Sequence, residues 1–257
     1  MLVLLSCAKT MSAVSKVKVP LTTSPRFQKE AAEIALQMSQ FSVDELERLL
    51  RVNAKIAVEN YKRYQAFHAE ATPELPALLA YTGIVFKRLN PKDFSAEDFG
   101  YAQEHLRLTS FCYGLLRPLD VIRAYRLEGD VVLPELGNQT LFFYWRSRLT
   151  DTFIEDIRSA GGILCNLASD EMKSLFDWKR VEKEVHVITP EFQVWKNGKL
   201  ASIVIYIKMS RGEMTRFILK NRIENPEDLK SFSWEGFEFN ESLSNEKKFV
   251  FTNGKEI

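Results

Sequence analysis

The chain has 257 residues, 46% of them hydrophobic and 27% charged, with a formal net charge of +1 at pH 7. That is the balance of an ordinary globular chain, large enough for one sizeable core or two small ones. It excludes a partner selected by bulk electrostatics, although local blocks of one sign can still focus a field. Such blocks exist. No acid precedes Glu30, residues 208–222 set Lys208, Arg211, Arg216, Lys220 and Arg222 against Glu213 alone, and acids dominate from Glu224 to Glu246.

Taken in order, "MLVLLSCAKT" opens with an apolar run, Leu2 to Leu5, too short to span a bilayer and suited to a strand covered on both faces. Ser42 with Glu45 forms a capping box that predicts one long helix through "VDELERLLRVNAKIAVENYKRYQAF". Ser95 caps a second helix through "AEDFGYAQEHLRL". "TSFCYG" breaks it at Gly114, and "LLRPLDVIRAY" restarts one, since Pro118 is tolerated in a first turn. A further helix is expected in "TLFFYWRSRLTDTFIEDIRSA", stopped by Gly161 and Gly162, and "GILCNL" then reads as a second buried strand.

The C-terminal third turns β-rich. "EFQVWKNGKLASIVIYI" is two strand-like runs around Asn197-Gly198, a strong hairpin signal. A short helix follows in "EMTRFILKNRI", with Arg211 and Arg222 on one side of its apolar stripe and Arg216 and Lys220 on the other; "FEF" and "FVF" read as strands. No repeat or linker interrupts the chain. The expected architecture is one mixed α/β domain over residues 1–257, a central mixed sheet surrounded by helices, with a helix–hairpin–helix-like element at 96–124.

The sequence carries no phosphate-loop, dinucleotide-binding or H-E-x-x-H motif, and its three cysteines and three histidines fit no metal spacing. It therefore calls for no cofactor and no metal, and the cysteines suit a reducing cytosol. Two polar strand ends stand out: Ser6, Lys9 and Thr10 after the first strand, and Asn166, Ser169 and Asp170 after the second. In open α/β sheets ligands gather at the carboxyl ends of strands, so the two groups can meet in one cleft holding a phosphorylated ligand; alternatively they cap the following helices. The basic block from His105 to Asp130 offers phosphate contacts through Arg107, Arg117, Arg123 and Arg126 around the Tyr113-Gly114 turn, or an ordinary corner with those arginines paired to Glu104, Asp120 and Glu128.

Four blocks together resemble the YaaA peroxide-stress family: "MLVLLSCAKT", "AQEHLRLTSFCYGLLRPLDVIRAYRLE", "NLASDE" and "RGEMTRFILKNRIENPEDLKSF" followed by "EGFEF". The resemblance spans the chain in the right order. It implies a cytoplasmic protein that protects against hydrogen peroxide, affects intracellular iron, and binds double-stranded or branched DNA in association with repair. The implied DNA surface takes in Lys9, Arg107, Tyr113, Gly114, Arg117, Arg123, Arg126, Lys208, Arg211 and Arg216. Two positions depart from the family pattern. Cys7 stands where the family has proline, and Phe111 where it often has a glycine able to approach a phosphate, leaving Cys112 beside the expected contact surface. The leading reading is a non-catalytic DNA-binding protein without membrane contact. The alternative is an enzyme acting on a small phosphorylated or nucleotide ligand in a basic cleft formed by Lys9, Asn166, Ser169, Asp170 and Arg211.

Overall fold

The computed structural model describes residues 1–256. The chain begins with strand β1 (Leu2–Leu5), followed by helices α1 (Gln28–Met38), α2 (Val43–Leu50) and α3 (Ala54–Ala66). Strand β2 (Glu74–Pro76), helices α4 (Ala77–Ala80), α5 (Ile84–Leu89) and α6 (Ala96–His105), and strands β3 (Leu106–Ser110), β4 (Gly114–Leu116) and β5 (Val121–Arg123) come next. Strands β6 (Val132–Leu133) and β7 (Gln139–Thr140) precede the long helix α7 (Leu141–Ser159), strand β8 (Ile163–Asn166), and helices α8 (Asp170–Lys173) and α9 (Trp178–Glu184). The hairpin β9 (His186–Lys196) and β10 (Lys199–Ala201), helix α10 (Val204–Asn221) and strands β11 (Phe237–Phe239) and β12 (Lys248–Glu256) complete it.

The central sheet runs β11-β12-β9-β8-β1-β3-β4, with β10 added to β9. β12, β9, β8, β1 and β3 are mutually parallel, while β4 and β11 close the edges antiparallel. β1 lies in the middle, between β8 and β3, and Leu2, Val3, Leu4 and Leu5 are all buried. This explains the unbroken apolar run, because a central parallel strand covered on both faces has no polar side. Helices α6, α7, α9 and α10 pack on the sheet, and one hydrophobic core reaches from Met1 to Phe251. The expected mixed α/β architecture is the one observed.

Several local expectations need correction. The helix capped by Ser42 is two helices: Arg51 adopts left-handed φ 51°, and Asn53 caps α3 by accepting from the Ile56 N–H at 3.0 Å. The predicted helix–hairpin–helix is missing its second helix. α6 passes directly into β3, and after the turn the chain forms β4 and β5. The physical reason is the sheet: β3 fills the place beside β1, with Val3 opposite Leu106 and Leu5 opposite Leu108, and that burial overrides local helix preference. Gly114 closes the β3–β4 hairpin at φ +70°, and a Cβ there would stand 2.8 Å from the Trp145 ring. Pro118-Leu119-Asp120 is a turn rather than a helix start, its Asp120 carboxylate accepting from the Arg117 backbone N–H at 2.8 Å. The run "SIVIYI" contributes no long strand, because α10 already begins at Val204. Lys220 and Arg222, expected on different sides of that helix, converge on one carboxylate, Asp98, at 2.6 and 2.8 Å.

Candidate functional site

β1 leads on to β3 on one side, whereas β8 leads on to β9 on the other. Loops leaving neighbouring parallel strands in opposite directions open a crevice at their carboxyl ends. Here the crevice is a cavity of about 310 Å³. Its floor comes from the loop after β1 and the loop after β8, joined by the Ser169 N–H donating to Ser6 Oγ at 2.9 Å and by the two hydroxyls 3.2 Å apart. The Cys7 N–H donates to Thr109 Oγ1 at 3.3 Å, a bond that proline at this position would not make. The Thr109 hydroxyl in turn donates to Met172 Sδ at 3.0 Å.

Seven of the expected residues line this cavity: Ser6, Lys9, Thr10, Arg126, Ser169, Lys208 and Arg211. Two others do not. Asn166 is buried beneath it, where its side-chain carbonyl accepts from the Ala168 N–H at 3.2 Å, and Asp170 points outward, paired with Lys173 at 2.8 Å. Glu128, buried to 5% exposure, bridges Lys9 at 2.8 Å and Arg126 at 3.5 Å. The Nε of Arg126 and the Nε of Arg211 are both buried without a hydrogen-bond partner among the described residues. Burial pulls the Arg211 guanidinium below its ordinary pKa, against the opposing charge of Asp170. Tyr125 forms one wall; its hydroxyl lies 2.6 Å from Ser110 Oγ and 2.8 Å from the Tyr81 hydroxyl, and burial pushes both phenols well up.

The remaining arginines are paired within the protein. Arg107 is buried, with Nε 2.6 Å from Asp156 and Nη1 donating to the carbonyls of Gln103 and Leu106 at 3.0 and 2.9 Å. Arg117 holds Asp120 at 2.9 Å, Arg123 holds Glu74 at 2.9 Å, and Arg216 holds Asp93 at 2.6 Å. Tyr113 and Gly114 are buried, and the Tyr113 hydroxyl accepts from the Arg123 N–H at 3.0 Å. Phe111 is buried too, its carbonyl accepting from Trp145 Nε1 at 2.8 Å. Cys112 is also inaccessible, and burial pushes its thiol far up. Burial likewise raises Cys7 and Cys165 to about 12, so none of the three thiols is primed as a thiolate.

A second hollow adjoins the first and shares Phe86 with it. This groove, about 950 Å³, runs between the irregular segment 12–18 and the region of α5. Its lining includes Lys16, Lys18, Lys87 and Lys92, all exposed, and no aspartate or glutamate. Sequence reasoning missed this groove, because its lysines come from segments some 70 residues apart that no motif connects. Among the described residues no three of His, Cys, Asp and Glu come together as a metal site, and no helix is long and apolar enough to cross a membrane.

A family model described as peroxide stress protein YaaA matches residues 1–243. The chain belongs to the YaaA peroxide-stress family. Relatives share its full length: a UPF0246 protein of Bacteroides thetaiotaomicron is 92% identical over 254 residues, covering 99% of each chain. A UPF0246 protein of Bacteroides fragilis is 79% identical over 255 residues, again 99% of each. The likeness extends to a UPF0246 protein of Crocosphaera subtropica, 37% identical over 98% of this chain and 99% of the relative. Within this YaaA chain, the polar strand ends quoted for the resemblance are those that border the cavity, whereas most of its arginine-rich block is core and corner.

Proposed function

We propose that this YaaA-family protein contributes to peroxide defence by binding duplex or branched DNA through its phosphates, and that the contact surface is the four-lysine groove. The observation that carries the reading is the groove's composition: Lys16, Lys18, Lys87 and Lys92 with no carboxylate among the lining residues. In a chain with a net charge of only +1, such a patch concentrates positive potential where bulk charge supplies none. Lysine contacts to phosphate position nucleic acid without reading its bases, so binding is largely independent of sequence. Arg107, Arg117, Arg123 and Arg216 are assigned no direct role, because each already holds a carboxylate. The three free thiols fit a cytoplasmic, reducing setting.

The test is fluorescence anisotropy of a labelled duplex across a salt series. Lys16→Glu with Lys87→Glu should weaken binding and lower the log–log salt slope by roughly 0.9 for each phosphate no longer neutralised. Arg117→Ala should leave that slope unchanged. Wild-type affinity and slope in the double variant would refute the groove as the contact surface.

A further inference from the structure

The cavity at the ends of β1 and β8 has a property the groove lacks. It contains buried cationic N–H groups with nothing to donate to. Arg211 Nε and Arg126 Nε are both shielded from solvent without an acceptor among the described residues, and both side chains line this one space. A buried donor left unmade costs about 1–3 kcal/mol, and more for a charged group, so native proteins satisfy nearly all of them. Arg211 lines this space with no side-chain hydrogen bond among the described residues and feels only the charge of Asp170 beyond ion-pair distance, so its guanidinium is free to take an anion.

We propose that this cavity is the binding site of a phosphorylated ligand of about mononucleotide size, with Arg211, which holds no carboxylate among the described residues, as its anion clamp and Arg126, loosely paired with Glu128 at 3.5 Å, beside it. The assignment stands apart from DNA contact in the lysine groove. A phosphate supplies several acceptor oxygens to guanidinium donors, and charge-assisted bonds of this kind are the strong ones. Lys208, exposed at the rim, adds positive charge at the entrance, while Lys9 is held by Glu128 at 2.8 Å. The lining also includes Phe86, Phe111 and Tyr125, which suits a planar body rather than a bare ion, and a single carboxylate, Glu171. The volume, about 310 Å³, falls at the small end of the range for ligand pockets, roughly 300–1,000 Å³. The position agrees with the chemistry, since the crevice where strand connections diverge is where open α/β sheets hold their ligands.

Geometry also explains how Arg211 comes to be aimed inward. The next residue on α10, Gly212, lies so close to the Val85 carbonyl of α5 that a Cβ would collide with it. That close approach sets the turn of α10 bearing Arg211 and Lys208 directly over the cavity.

The experiment is thermal unfolding of the full chain with inorganic phosphate, a panel of ribo- and deoxyribonucleoside monophosphates, and a short 5′-phosphorylated oligonucleotide. At least one mononucleotide should raise Tm saturably and by more than phosphate does. Arg211→Gln should weaken that ligand about 10- to 100-fold, the loss expected for a charged hydrogen bond. Stabilisation by the oligonucleotide alone, abolished in Arg211→Gln, would support the same site with a nucleotide carried on a DNA end. Should Arg211→Gln fold poorly, Arg126→Gln and the exposed Lys208→Glu provide the same comparison. The Lys16→Glu, Lys87→Glu protein should keep the ligand shift, so failure of the groove and failure of the cavity are visible separately. No shift with any probe, an equal shift with phosphate alone, or a shift that persists in the arginine variants would overturn the proposal.

Discussion

Asp98 shows how one residue ties distant parts of the chain together. It completes the cap of α6, its carboxylate accepting from the Ser95 N–H at 3.0 Å, and it receives Lys220 and Arg222 from the far end of α10. Burial pushes the carboxyl up, but Lys220, the Ser95 N–H and Arg222 pull harder in the other direction and hold it at about 2. An unfolded aspartate titrates near ~3.9. The folded value is the lower one, so the stabilisation is complete above about pH 4 and disappears as pH falls through about 2. Asp98→Asn should therefore cost about 1–3 kcal/mol at pH 7. Urea unfolding at a series of pH values should show the gap between variant and wild type closing between about pH 4 and pH 2, and a gap independent of pH would contradict the assignment.

At the scale of elements, two glycines decide how the pieces meet. Gly114 combines φ +70° with the Trp145 ring of α7, so Gly114→Ala brings both backbone strain and overpacking. The expected loss is about 2–4 kcal/mol, read from urea midpoints at constant m value. The same turn marks where sequence reasoning stopped working. The capping box at Ser42 and the cap at Ser95 were legible because such caps act within three residues; that Asp98 completes a box at Ser95 came from the structure. The Asn197-Gly198 hairpin was legible for the same reason, a turn chemistry contained in two residues. Residues 106–123 were not, because their strand state is imposed by partners outside their own spacing: β3 by β1, about 100 positions earlier, and β5 by β2. Arg51 misled in the opposite way: a non-glycine residue in left-handed conformation splits α2 from α3, and arginine gives no local sign of it.

For the whole molecule, the continuity of the core makes the single domain read from sequence a testable expectation. Far-UV circular dichroism and tryptophan fluorescence should report coincident unfolding transitions, whereas separate midpoints would reveal independent units. The cavity was partly visible in the sequence because two polar strand ends follow two apolar runs, which is how a strand terminus looks when ligands collect there. Its walls were not, because Tyr125, Phe111 and Phe86 reach it only through the tertiary arrangement of strands and loops.

The central place of β1 has a consequence for how the protein is made. One flank of this strand is matched by β3 about 100 residues later, but the other must wait for β8, whose Asn166 pairs with Leu4. At roughly 5–20 residues per second, the stretch of about 160 residues from β1 to β8 takes some 8 to 32 seconds to translate. During that interval the most water-averse strand of the sheet has an open edge, the kind of surface that pairs with the wrong partner. The same order means that the last wall of the cavity, Arg211, arrives after every other one. A nascent chain thus has a long period of vulnerability, and its cavity stays incomplete until most of its length has been synthesised.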